Sequence, residues 1–287
     1  MLGRFLRSVQ KTLELARAPA AAAISPDLWQ RQLAALTLLE RRSEAERERL
    51  RLVCAQFLAS KSIHGAGGLA ITPEMELHIA AQACLPILNL GLQWYEGWRE
   101  IVVYPARFRV RRTVHGEDGL SYEMDDELSG EAWRGGPVVL SWADASGQDG
   151  DDREDRSAGT VASNVVIHEF AHKLDLIDGI ADGVPPFDRR IHPSLERTHW
   201  EHVLEEAYER FCEEIDLIEA EIPHDVDPES PAAERYFAHL PLDPYAATDT
   251  GEFFAVSSET YFLEPGRLQV AFPEWHALLR AFYETGG

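Results

Sequence analysis

The sequence is poor in cysteine, in basic residues and in long apolar runs, and each shortage removes a class of protein. Its three cysteines, Cys54, Cys84 and Cys212, stand far apart and make no C-x-x-C pair. They suggest neither a disulfide framework nor a thiolate zinc site, and they fit a reducing, cytoplasmic compartment. No stretch reaches the roughly 18–20 apolar residues of a membrane span, and no signal peptide with a small-residue cleavage site is evident. Against 49 acidic residues stand 27 basic ones, for a formal net charge of −22. That balance argues against a nucleic-acid-binding surface, which needs clustered Lys and Arg, and it suits a soluble protein. What is plentiful is core material: 45% of the 287 residues are hydrophobic, enough for one large domain or two small ones.

The chain is organised around Thr160–Gly179, which contains His168-Glu169-x-x-His172. Val165, Val166, Ile167, Phe170, Ala171 and Leu174 surround these residues with apolar side chains, no Pro interrupts, and Gly179 stands where a C-terminal cap belongs. In a helix of about 3.6 residues per turn, residues i and i+4 share a face. Two imidazoles so placed grip one small cation, and zinc accepts neutral His nitrogen. Glu169 is offset around the helix, where it reaches a water rather than the metal itself. Polar residues in an apolar helix cost several kcal/mol when buried unpaired, and a metal supplies the reason for them. Lys173, directly after the second His, departs from the usual zinc-peptidase pattern.

Upstream, Met1–Arg17 reads as a short amphipathic helix with a basic face of Arg4, Arg7, Lys11 and Arg17, and Ala18–Ala23 as a hinge. The expected division is therefore 1–23 and a catalytic domain 24–287, with a helical part 24–91 and a sheet and active-site part 92–287. Pro26–Arg42 and Ser43–Ala59 read as helices, the second opened by a Ser43/Glu46 capping box. Thr72 and Pro73 start a third, Pro73–Asn89, which Pro86 kinks or ends early; His78 within it reads as a packed core histidine. Glu100–Pro105 and Phe108–Val114 read as strands. A further strand over Val138–Trp142 is placed to pair with an extended peptide, if its edge is free. Asp144–Arg156 is an acidic loop in which Asp149, Asp151 and Asp152 lack calcium-loop spacing. A long helix is expected from Ser194 to about Ile222. Between Glu201 and Glu229 the chain carries twelve acids and one base, Arg210, and His199 and His202 there read as solvated.

A catalytic zinc takes three protein ligands and keeps an open position. After the His pair, Asp178, Glu252, Glu259 and Glu264 are the candidates for the third. Asp178 lies ten residues after His168, but Asp175 does not supply the Gly that such a spacing needs to turn the chain. Glu252 opens an apolar helix, Glu252–Phe262, with Glu259 two turns along the same face. Asp175 is placed to orient a ligand imidazole, or simply to end its helix.

SGEAWRGGPVVLSW, NVVIHEFAHKLD and DPYAATDTGEFFAVSSETYF resemble the corresponding blocks of the Mlc titration factor A family, and the likeness runs from about Ile24 to Tyr283. The resemblance implies an α+β, zincin-like metallopeptidase fold of the gluzincin type: a small mixed sheet beside the H-E-x-x-H helix, with additional N-terminal helices. It implies one catalytic Zn2+ held by His168, His172 and Glu252, with Glu169 as general base and Tyr245 steadying the transition state. Asp175 and Glu259 remain as residues supporting the ligands. The expected activity is peptide hydrolysis, as an aminopeptidase. A second expectation is regulatory: sequestration of a transcription repressor of the Mlc type, which is bound by the family's namesake.

Overall fold

The computed structural model describes residues 24–115, 121–128, 130–132, 135–147, 162–228, 230 and 232–284. The amphipathic helix and hinge expected over 1–23, and most of the acidic loop after Gly147, lie outside these residues. Helix α1 (Pro26–Ala35) is capped by Ser25, whose Oγ accepts the Leu28 amide, with Pro26 at the first helical position. It ends earlier than the expected Arg42, because Leu36 is extended; a single 3-10 turn, Thr37–Leu39, follows. In α2 (Glu44–Ser60) the capping box forms in full: Ser43 Oγ accepts the Glu46 amide and Glu46 Oε2 accepts the Ser43 amide. Strand β1 (Ser62–Gly65) was not evident from the sequence. Helix α3 (Pro73–Ala83), capped by Thr72, stops short of Asn89, three residues before Pro86. His78 is buried in it, between Gln32 Oε1 and the Ala145 carbonyl.

Strand β2 (Glu100–Tyr104) is followed by β3 (Phe108–His115) and β4 (Ser121–Leu128), which pair antiparallel as a separate two-stranded ribbon. Short β5 (Gly130–Ala132) and β6 (Val138–Ser141) complete a four-stranded sheet in the order β1-β2-β6-β5. The first three strands run parallel and β5 runs antiparallel to β6. Strand β6 therefore does not offer the free edge considered for Val138–Trp142: it is hydrogen-bonded on both sides, and Trp142 begins helix α4 (Trp142–Ala145). Among the described strands, β5 is the outermost on that side. The architecture is α+β.

The helices α5 (Val165–Asp175), α6 (Arg197–Glu221), α7 (Glu234–Phe237), α8 (Thr250–Leu263), α9 (Pro265–Ala271) and α10 (Pro273–Tyr283) fill the rest. Helix α8 is apolar on nearly every side and buried from Phe253 to Phe262, so it forms the centre of the helical layer. Helices α5, α6, α9 and α10 pack on it, and α5 also touches β5 and β6. One contiguous core joins the sheet to these helices through Ile101, Val103, Val138, Leu140, Phe170 and Phe254. No helix among the described residues is long and apolar enough to cross a membrane.

Asn164 ties this core together at the start of α5. Its Oδ1 accepts the Ile167 amide at 2.9 Å, its Nδ2 donates to Gln82 Oε1 of α3, and its backbone amide donates to Glu259 of α8. Replacing Asn164 with Ala removes a helix cap worth about 1 kcal/mol. Urea unfolding should show a lower midpoint with an unchanged slope; an unchanged midpoint would mean that the cap contributes nothing.

Candidate metal centre

His168 and His172 lie on one stripe of α5, while Val166, Ile167, Phe170, Ala171 and Leu174 bury the other. This is the i, i+4 spacing at work, and it leaves both imidazoles partly open at the helix surface. Their Nε2 atoms are 3.1 Å apart. Helix α8 brings Glu252 to the same point from 80 residues further along. Asp249 caps α8 by accepting the Glu252 amide, so Glu252 sits in the first turn, pinned by the buried Phe253 and Phe254. Its Oε2 lies 3.0 Å from His168 Nε2 and 3.2 Å from His172 Nε2.

Two imidazole nitrogens and one carboxylate oxygen thus form a near-equilateral triangle. Tetrahedral zinc with bonds of about 2.0–2.1 Å needs ligand atoms roughly 3.3 Å apart, so the donor set fits a divalent cation in both chemistry and spacing. The arrangement also explains itself electrostatically: imidazole lone pairs that face each other and a carboxylate repel unless a proton or a cation lies between them. Burial opposes charge on His168, but hydrogen bonds to Glu252 and Glu259 outweigh it and raise its pKa well above the ordinary value. Burial likewise opposes charge on Glu252, and the bonds to the two imidazoles overcome it and hold the carboxyl far below the usual range.

Glu259, two turns along α8, is buried, and its Oε1 lies 2.8 Å from His168 Nδ1. Its other oxygen takes the Asn164 amide. An imidazole that offers Nε2 to a metal is commonly held through Nδ1 by such a carboxylate. Tyr245 stands on the 3-10 turn Pro244–Ala247, which Asp243 caps. The ring is half exposed, its hydroxyl is 3.4 Å from Glu252 Oε1, and its centroid is 6.1 Å from that of His168.

The other candidates are elsewhere. Asp178 is drawn to Arg197 at 3.6 Å, and Glu264 to Arg267 at 3.2 Å. Asp175 makes no hydrogen bond to an imidazole. It is fully buried, and its Oδ2 accepts the Gly183 amide at 2.8 Å, holding the loop beyond α5. Burial, with Asp182 nearby, pushes its pKa up to about 7 despite that hydrogen bond.

Two features escaped the sequence reading. Glu169 is buried, and β5 runs directly against it: a Cβ at Gly130 would fall 2.3 Å from Glu169 Oε1. Gly130 reads in the sequence as an ordinary turn residue, so only the fold reveals that it leaves room for the carboxylate. Lys173 is buried too. Its ammonium donates to the Gly136 carbonyl at 2.8 Å and lies 4.7 Å from the centre of the Trp98 ring. The charge that departs from the zinc-peptidase pattern thus ties α5 to the segment entering β6.

The sequence profile of the family described as "Glucose-regulated metallo-peptidase M90" matches residues 10–284. The chain belongs to this family. Mlc titration factor A of Serratia proteamaculans (strain 568) is 37% identical over 257 residues, 89% of this chain and 86% of that protein. Its counterpart in Klebsiella pneumoniae subsp. pneumoniae is 37% identical over 246 residues, 85% of this chain and 81% of that protein. That of Yersinia pestis (strain Pestoides F) is 34% identical over 249 residues, 86% and 81% respectively. Membership in the M90 family makes the chain a metallo-peptidase, a hydrolase that works with a metal ion. Among the described residues, His168, His172 and Glu252 are the one group of at least three His, Cys, Asp or Glu side chains spaced to hold it.

Because Glu252 and Glu259 raise the His168 pKa well above its ordinary value, whereas a ligand imidazole is neutral, metal binding by this M90 peptidase should release a proton and strengthen as pH rises. Calorimetric titration with zinc in buffers of different ionisation enthalpy, near pH 7, should report release of about one proton per ion; zero release would contradict the coupling. Glu259→Gln should weaken metal affinity by about 10–100-fold in a chelator competition. Gly130→Ala should fold and keep its metal while kcat falls, because Glu169 has to move. An unchanged kcat would show that the side chain finds an equivalent position.

Proposed function

We propose that this metallo-peptidase is a cytoplasmic, zinc-dependent aminopeptidase of zincin-like, gluzincin type, with its catalytic domain in residues 24–287. The observation that carries the reading is the convergence of His168, His172 and Glu252 beside the buried Glu169. Zinc, when bound, lowers the pKa of water toward about 7 and polarises a carbonyl. The rest falls to side chains. His168 and His172 present Nε2, and Glu259 holds the His168 ring with its proton on Nδ1. Glu169 takes a proton from the attacking water and returns it to the leaving amine. Tyr245 donates its hydroxyl to the oxyanion that develops on the scissile carbonyl, a contribution typically worth about 2.7–4 kcal/mol. The main chain of β5, next to Glu169, supplies an edge on which an extended peptide adds as a further strand. Preference for a free amino terminus is supported by charge. The acidic helix α6 packs against the turn that carries Tyr245, with Tyr208 donating to the Ala247 carbonyl.

A second reading rests on the relatives, which are named for titrating Mlc: the chain sequesters a transcription repressor of the Mlc type and has weak peptidase activity. The two readings part at Glu169. In a pull-down with the repressor, Glu169→Gln should still bind if sequestration is the function.

Glu169→Gln should retain metal and lose activity on aminoacyl substrates by about 10²–10⁴-fold; an active variant would remove Glu169 from the base role. Tyr245→Phe should lower kcat by about 10²–10³-fold with little change in KM. A change confined to KM would make Tyr245 a substrate-binding group instead.

A further inference from the structure

Beside the start of β1 and β2, α2 and the turns 88–98 line a half-open cavity of about 840 Å³ that includes none of the residues of the metal centre. The volume suits a small organic molecule. Val53, Leu88 and Leu92 make apolar walls, and the buried rings of Tyr95 and Trp98 form the floor. Two of its lining side chains are cationic, Arg49 at the rim and Lys61 in the floor, against a single acid, Glu96. In a protein of net charge −22 with only three lysines, this is a local reversal of sign.

Lys61 is held in an unusual way. Its ammonium donates to the carbonyls of Tyr95 and Trp98 and lies 3.7 Å from the centre of the Trp98 ring. Among the described residues no carboxylate forms an ion pair with it, nor with Arg49, which donates to Asn89 Oδ1. Three N–H donors are available to a lysine, and the two carbonyls take two. Burial, with Arg99 nearby, brings its pKa down to about 8 against the weaker upward pull of Glu96. A half-buried ammonium at the base of this cavity, in ion-pair contact with no carboxylate among the described residues and with Glu96 the single acid of the lining, leaves positive charge for an anion to neutralise. Residues 1–23 are a poor match for that role, because they carry four basic residues and one acid.

We propose that this cavity is a binding site for an amphipathic organic anion, a monocarboxylate whose hydrocarbon body lies on Val53, Leu88 and Leu92 and whose carboxylate accepts from Lys61, with Arg49 at the entrance. The site is separate from the metal centre, yet it shares one ring with it. Trp98 also packs on Phe170, at 5.7 Å between ring centres, and meets the Lys173 ammonium, both on the helix that carries His168 and His172.

Isothermal titration of the full-length protein with octanoate tests the proposal, with octylamine as the cation of the same body. Octanoate should bind at one saturable site and octylamine should not. Lys61→Met should weaken octanoate by about tenfold or more, the equivalent of one charge-assisted hydrogen bond. Should Lys61→Met fail to fold, Val53→Trp fills the cavity from the wall with Lys61 intact and should abolish binding. Equal binding of octylamine, absence of saturable octanoate binding, or normal binding by a folded Val53→Trp protein would each overturn the proposal. The last result would also be the one expected if the carboxylate went to the metal centre.

Discussion

Two helices from distant parts of the chain must deliver three donor atoms to one point, and the packing of α5 on α8 meets that demand. His168 and His172 are one turn apart on α5, so their spacing is a property of the helix alone. Glu252 arrives from the other helix, and its position depends on every contact between the two. The site is also electrostatically demanding. Glu169, Glu259 and Asp175 are buried close to this His168, His172 and Glu252 cluster, in a protein already strongly acidic. Desolvated carboxylates at such density call for a cation or for protons. The opposite shifts of His168, upward, and Glu252, downward, follow from that demand.

The contacts around the cluster are distributed over several elements. Glu259 joins α8 to both the His168 ring and the first turn of α5, while Asn164 extends the link to α3. At the other end of α5, Asp175 holds the loop at Gly183, whose carbonyl in turn accepts the Trp200 indole of α6. That loop packs closely on the start of α8: a side chain at Gly183 would strike the Thr250 carbonyl, and one at Gly251 the Ala181 carbonyl. Asp175 therefore bears on the relation between α5 and α8.

Much of this arrangement was legible in the sequence where local rules apply. The Ser43/Glu46 box, the Thr72-Pro73 start and the His168/His172 spacing are each written within a few residues, and the helices follow them. Convergence at long range was not legible in the same way. The residues alone left Asp178, Glu252, Glu259 and Glu264 open as third ligand, and only the resemblance to a known family singled out Glu252. Strand β1 is four residues of mixed character, Ser62–Gly65, whose pairing comes entirely from β2. Strand β6 looked able to present an edge because nothing in Gly130–Ala132 announces the strand that covers it. Gly130 and Lys173 acquire their meaning only from what the fold sets against them.

The account stands on a single divalent ion shared by α5 and α8. Metal analysis of the purified protein combined with X-ray absorption at the zinc edge tests this most directly. The account predicts one zinc per chain in a shell of imidazole nitrogen and light oxygen donors, the imidazole signal diminishing when His172 is replaced by Ala. Protein that folds and hydrolyses peptides without metal, or zinc in a shell containing sulfur, would contradict it.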